Sequence, residues 1–138
     1  MKYMKTTIYS IHILAAFLAA MFLSACGGSS NSPEGVARKF FTALQNQDVK
    51  TATACSSKAK PGTSQADKSM IIAILTAAMQ DELQKNGGIE AMETSPVSDS
   101  GDKAEVEVKI TYKNGKTDES PCKMVKENGA WKVDDVGR

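Results

Sequence analysis

The residues in this chain with the most distinctive chemistry are its three cysteines, Cys26, Cys55 and Cys122. Histidine, the commonest general base and transition-metal ligand, occurs once, as His12 inside an apolar run. Asp118-Glu119 and Asp134-Asp135 are paired carboxylates. Calcium takes six or more oxygens, so these pairs read as solvated turn or edge charges rather than as a metal site. No glycine loop that would cradle a phosphate, zinc-ligand spacing or nucleophile elbow interrupts the sequence. Nothing in the residue types calls for a metal or a cofactor, and the expectation is a protein that is not an enzyme.

The setting of Cys26 is informative. Met1 to Thr7 carries Lys2 and Lys5 and no acid, and the sixteen positions from Ile8 to Leu23 are mostly apolar. A membrane-spanning helix needs about 20 apolar residues, so the run is short for a permanent span. A basic start, an apolar middle and small residues at the exit describe a secretory signal. Leu23-Ser24-Ala25-Cys26 then resembles a bacterial lipobox. The resemblance implies cleavage between Ala25 and Cys26, a diacylglyceryl group on the Cys26 thiol, and acylation of the new amino group. One acyl chain binds a membrane only marginally, at about 0.8 kcal/mol per buried methylene, whereas two or three chains anchor stably. Gly27 stands where many enteric lipoproteins retained at the inner membrane carry aspartate, which points to the outer membrane. Residues 26–31 read as a lipidated, flexible Gly/Ser tether.

Removal of residues 1–25 changes the balance of charge. The full chain has 17 basic and 16 acidic residues; without Lys2 and Lys5 the count is 15 against 16, a net charge of −1. That gives no electrostatic case for nucleic acid. It also removes His12. Cys55 and Cys122 remain, and an even remainder in an oxidising compartment suggests a disulfide closing a 67-residue loop. The chain-entropy contribution of such a loop is about 4 kcal/mol. The alternative is two buried free thiols, which pack as small hydrophobes.

Residues 32–138 make one domain. Ser32 is a helix N-cap, Pro33 suits the first helical position, and Val36, Phe40 and Leu44 recur on one stripe beside Ala37 and Phe41. Asp48 caps a short second helix that ends before Pro61. Ser64, with Asp67 three residues on, opens a third helix that Asn86-Gly87-Gly88 ends. Its stretch Met70 to Met79 is apolar in nine of ten positions, so the helix is expected to be buried on most sides or to meet a partner. From Ile89 the period becomes two. Ala104, Val106, Val108, Ile110 and Tyr112 alternate with Glu105, Glu107, Lys109 and Thr111. Asn114-Gly115 and Asn128-Gly129 are hairpin turns, and Pro121 argues for an edge or a bulge. The expectation is an α+β domain in which three helices cover the apolar face of a four-stranded antiparallel meander.

"SPEGVARKFFTALQNQDVKTATA" and "AEVEVKITYKNGKTDESPCKMVKENGAWKV" together resemble a family of small bacterial lipoproteins known as a domain of unknown function, within the nuclear-transport-factor-2-like, or cystatin-like, superfamily. The Pro-Glu start, the aromatic first helix, the Gln-Asp step and Lys126, Gly129, Trp131, Lys132 and Val133 carry the likeness, with Asn128 as an addition. The resemblance implies a curved sheet wrapped around helices, often with a conical pocket, and no reaction. Enzymes on this architecture place His-Asp or Tyr-Asp pairs in that pocket, and the mature chain has no histidine.

Phe40, Phe41, Tyr112 and Trp131 are candidate pocket-lining residues, with core packing as the competing role. Met70, Met79, Met92 and Met124 offer an adaptable surface or a filled core. Lys113, Lys116, Lys123, Lys126 and Lys132 offer a lipid or cell-wall contact, against a solvated sheet face laced with acids. Three functions follow. The first is a lipid-anchored envelope protein, held to the membrane by acyl chains on Cys26, that binds another envelope protein or a cell-wall component. The second is a module for a small apolar ligand between sheet and helices. The third, disfavoured by the missing histidine, is a hydrolase or isomerase. An exposed apolar patch on the 70–79 helix would favour the first.

Overall fold

The computed structural model describes residues 31–58 and 62–137. The expected signal peptide, its cleavage after Ala25 and lipidation at Cys26 lie outside the described residues.

Helix α1 spans Pro33–Gln45. The Ser32 hydroxyl accepts from the Gly35 amide at 3.0 Å, and proline occupies the first turn, where its missing N–H costs nothing. Val36, Ala37, Phe40, Phe41, Ala43 and Leu44 are buried, which makes α1 the central helix of the core. The Phe40 and Phe41 rings meet edge to face at 5.7 Å. Helix α2, Val49–Cys55, starts at the expected cap, with the Asp48 carboxylate accepting from the Thr51 amide at 3.0 Å. Helix α3, Gln65–Asn86, carries a full capping box between Ser64 and Asp67. It stops at Gly87, whose φ of 79° is the left-handed conformation that glycine adopts without penalty.

The strands are β1 (Ile89–Asp99), β2 (Lys103–Tyr112), β3 (Thr117–Glu127) and β4 (Ala130–Val136), in spatial order β1-β2-β3-β4. All neighbours are antiparallel. Ala104, Val106, Val108, Ile110 and Tyr112 are buried on the helix side, as their alternation requires. The opposite face is a charge ladder: Lys109 stands between Glu93 and Glu119, and Lys123 between Glu105 and Asp135. Lysines flanked by acids in this way make a solvated surface rather than a cationic patch. Irregularities at Ile89/Ala91, Pro96/Ser98 and Lys123/Met124 break the register, as β-bulges do where a sheet bends. Pro121 lies in an interior strand. It sits past the Lys123/Met124 bulge, where β4 runs out and the Pro121 carbonyl accepts from the Gly137 amide at 2.8 Å. The sheet curves around α1 without closing, and three helices followed by this sheet make the α+β class.

The core is complete within residues 36–136. Asn31–Arg138 forms a unit of its own by backbone proximity. Among the described residues no helix is long and apolar enough to cross a membrane.

The suggested Cys55–Cys122 disulfide is not formed; both are buried free thiols. The reason is topological. Ser56, next to Cys55, bridges Val133 on β4, while Cys122 belongs to β3 on the other side of β4. Two strand spacings separate those backbones, about 10 Å, whereas a disulfide needs Cα atoms within about 7 Å. Cys122 instead packs its sulfur 3.5 Å from that of Met124.

Candidate functional site

Helix α3 has one face inside and one outside. Ile72, Thr76 and Met79 are buried, and Thr76 turns its hydroxyl onto the Ile72 carbonyl at 2.8 Å, so this buried hydroxyl is paired. Met70, Ile71 and Ile74 are 64%, 54% and 62% exposed. Ala66, Ala73, Ala77 and Ala78 are also exposed, so the outward surface is apolar for three turns. The helix is therefore not buried on most sides. Its polar residues lie at the ends: Asp67 in the first turn, and Asp81 and Lys85, paired at 2.6 Å, in the last.

Polar contacts fix which face looks out. The Gln80 amide donates to the Leu44 and Gln45 carbonyls at 3.1 and 3.0 Å, capping the open end of α1. Six residues further on, at the C-terminus of α3, the Asn114 amide donates to the Asn86 side chain at 2.8 Å, tying α3 to the β2–β3 hairpin. Both contacts lie in the C-terminal third of α3, and together they set the rotation of the helix that leaves its outer isoleucines in solvent.

Beneath α3 lie two hollows bordered in common by Leu75 and Val136. One, about 310 Å³, has Phe40, Ile72 and Val133 on its floor and Ser57, Lys58 and Lys68 around its rim. The other, about 530 Å³, is lined by Phe41, Tyr112, Asp118 and Glu82 among others. The four aromatic candidates therefore part company. Phe40 borders the first hollow, Phe41 and Tyr112 the second, and Trp131 neither; Trp131 is buried, with the Lys126 ammonium 5.5 Å from its ring centre.

Tyr112 donates its hydroxyl to Asp118 at 3.0 Å. Burial first, then the hydrogen bond and charge of Asp118, hold the phenol well above its usual range. This is a Tyr-Asp pair in geometry, but a phenol that keeps its proton is a poor base. Glu82, on the same rim, is held below the usual carboxylate range by the Lys116 ammonium at 3.2 Å. Among the described residues no group of three or more acids, cysteines and histidines converges as a metal site.

Two residues escaped the reading of the sequence. In the sequence Asp118 is only half of an acidic pair, because its Tyr112 contact crosses a hairpin. Lys68 stands on the inward stripe with Ile72, Leu75 and Met79, at i, i+4, i+7 and i+11. A lone lysine in that register was the available signal.

The family described as "Domain of unknown function (DUF4878)" matches residues 24–134. The chain belongs to that family. No relative among curated proteins matches it. A solved structure of an NTF2-like transpeptidase from Campylobacter jejuni is similar with a TM-score of 0.66 at 21% identity, covering 74% of this chain and 96% of that one. A SEC-C motif containing protein from Rhodopseudomonas palustris is similar with a TM-score of 0.52 at 16% identity, covering 83% of this chain and 84% of that one. At these identities the likeness is one of fold. It gives this member of the family a fold like that of an NTF2-like protein, the fold that the resemblance implied.

Proposed function

We propose that this protein is a lipid-anchored cell-envelope lipoprotein whose domain is a non-catalytic interaction module, docking an envelope protein on the outward face of α3. The observation that carries this is the exposure of Met70, Ile71 and Ile74 on a helix whose fold is otherwise complete. Fully burying one such side chain is worth about 1.5–3 kcal/mol, so a monomer that leaves three in water forgoes several kcal/mol that a partner can recover. An apolar Met/Ile/Ala surface fits an apolar surface of another protein better than a polar glycan. The charge ladder on the far face of the sheet leaves that side without a comparable feature.

The anchor rests on Leu23-Ser24-Ala25-Cys26 and the apolar run before it. Acyl chains on Cys26 would hold the domain at the membrane, most consistently the outer one given Gly27, and the short segment to Asn31 would keep the α3 face within reach of membrane-associated partners. A non-catalytic role is supported by the protonated Tyr112 and by the absence of histidine after position 12.

The test combines localisation with docking. Cys26→Ala is expected to release the protein from membranes or to block its processing; unchanged membrane association contradicts the anchor. In chemically cross-linked cells, Ile74→Lys is expected to remove adducts that the wild-type protein forms while the protein level stays the same. Adducts that persist contradict the docking face.

A further inference from the structure

The first hollow does not end at its apolar floor. Ser56, Lys58 and Lys68 border both it and an adjoining cleft lined by Lys132, Glu127, Gln65 and Asn128. One continuous groove therefore runs from Phe40, Ile72, Leu75 and Val133 to Lys58 after α2, Lys68 in the first turn of α3 and Lys132 on β4.

The charged groups around that groove are unequally committed. The Glu127 carboxylate accepts from the Lys58 backbone amide at 3.1 Å, and Asp134 accepts from the Ser57 hydroxyl at 3.0 Å. The Lys132 ammonium donates to the Ala54 carbonyl at 2.7 Å, at the end of α2. Asp135 borders the hollow beside Asp134. Lys68 differs. It is partly buried, it lies on the inward stripe of α3, and its ammonium makes no hydrogen bond or ion pair with a described residue. Burial is the largest influence on it and holds its pKa below the usual lysine range, with Lys132 adding to the effect and Glu127 and Asp134 opposing it. A partly desolvated ammonium beside an apolar floor is stabilised by an anion whose remainder is itself apolar.

We propose that this groove binds an anionic amphiphile, with a single short tail among Phe40, Ile72, Leu75 and Val133 and its anionic head on Lys68. At about 310 Å³ the hollow is at the small end of ligand sites, which run from about 300 to 1,000 Å³, and suits one short chain rather than a two-chained lipid. A free carboxylate and a phosphate headgroup share this chemistry. The groove meets the outward α3 face at Ile71, which borders both, but Ile72 and Leu75 line the groove while Met70 and Ile74 do not.

The test is a two-dimensional amide NMR titration of the chain from Asn31 onward, which contains every core residue. The probes are sodium octanoate, octyl phosphate, 1-octanol and sodium acetate. Octanoate or octyl phosphate is expected to shift amides around Phe40, Ile72 and Val133, and to bind about tenfold more tightly than 1-octanol, the size of one charge-assisted hydrogen bond. Whichever of the two binds more tightly identifies the head. Acetate is expected to leave those amides in place. Lys68→Met should bring octanoate down to the affinity of octanol with the circular dichroism unchanged, while Lys113→Met should not. Lys68→Gln serves the same purpose if the methionine variant does not fold. Octanoate and octyl phosphate no tighter than octanol, a preference that survives at Lys68→Met, or shifts confined to Tyr112 and the second hollow would each overturn the proposal.

Discussion

Cys122 is enclosed between β2 and β4, opposite Val106 and Val136 in the two ladders, with its sulfur against Met124. Burial, with a smaller push from Asp135, raises its thiol to about 12 from an ordinary value of 9.0. Cys55 is also raised, by burial first. Thiolate is the reactive form, so both thiols are expected to resist iodoacetamide at pH 8 in the native chain and to label fully once it is unfolded. Rapid native labelling would contradict this burial, and no labelling after unfolding without reductant would restore the disulfide. The same shift has a pH signature. Between pH 9 and 12 the unfolded chain has released the Cys122 proton and the folded chain keeps it, so stability falls as pH rises through that window. The contribution at stake is about 4 kcal/mol. Denaturant midpoints at pH 8 and 11 should therefore differ more in the wild type than in Cys122→Ala. An even count of cysteines made a bridge reasonable, but pairing depends on backbone separation, and β4 lying between α2 and β3 is invisible in the composition.

Much of the element structure was legible because the chain marks its own boundaries. Ser32-Pro33, Asp48, and Ser64 with Asp67 all begin helices where they should, and Gly87 ends one. The clean alternation from Ala104 to Tyr112 put the correct residues inside. The orientation of α3 was not legible. When nine of ten positions are apolar, the pattern has no phase, and no residue says which side is buried. The phase comes from Gln80 and Asn86, polar residues outside the apolar stretch that bond to α1 and to the β2–β3 hairpin. Ser64→Ala should lower stability by about 1 kcal/mol through loss of the cap, read as a shift in denaturant midpoint. Gln80→Leu should cost a similar amount, about 1 kcal/mol, by uncapping α1. Its larger effect should be faster amide exchange along α3, since it releases the hold on that helix. Unchanged exchange there would mean that apolar packing alone sets its orientation.

At the scale of the whole molecule, the fold follows from burying one sheet face under α1 while charging the other, and the hydrophobic pattern sufficed to anticipate it. Among the described residues, the exposed α3 face is where that rule is broken on a large scale. Ile74→Lys should change stability by no more than about 0.5 kcal/mol, because the side chain it replaces is already in solvent. A large loss would mean the face is structural. The most direct measurement of the docking claim is site-specific photo-cross-linking in intact cells, with a photoreactive residue at position 74 or, as a control, at exposed Glu107 on the sheet's charged face. A discrete protein adduct is expected from position 74 and none from position 107. Equal adducts from the two positions, or none from position 74, would contradict it.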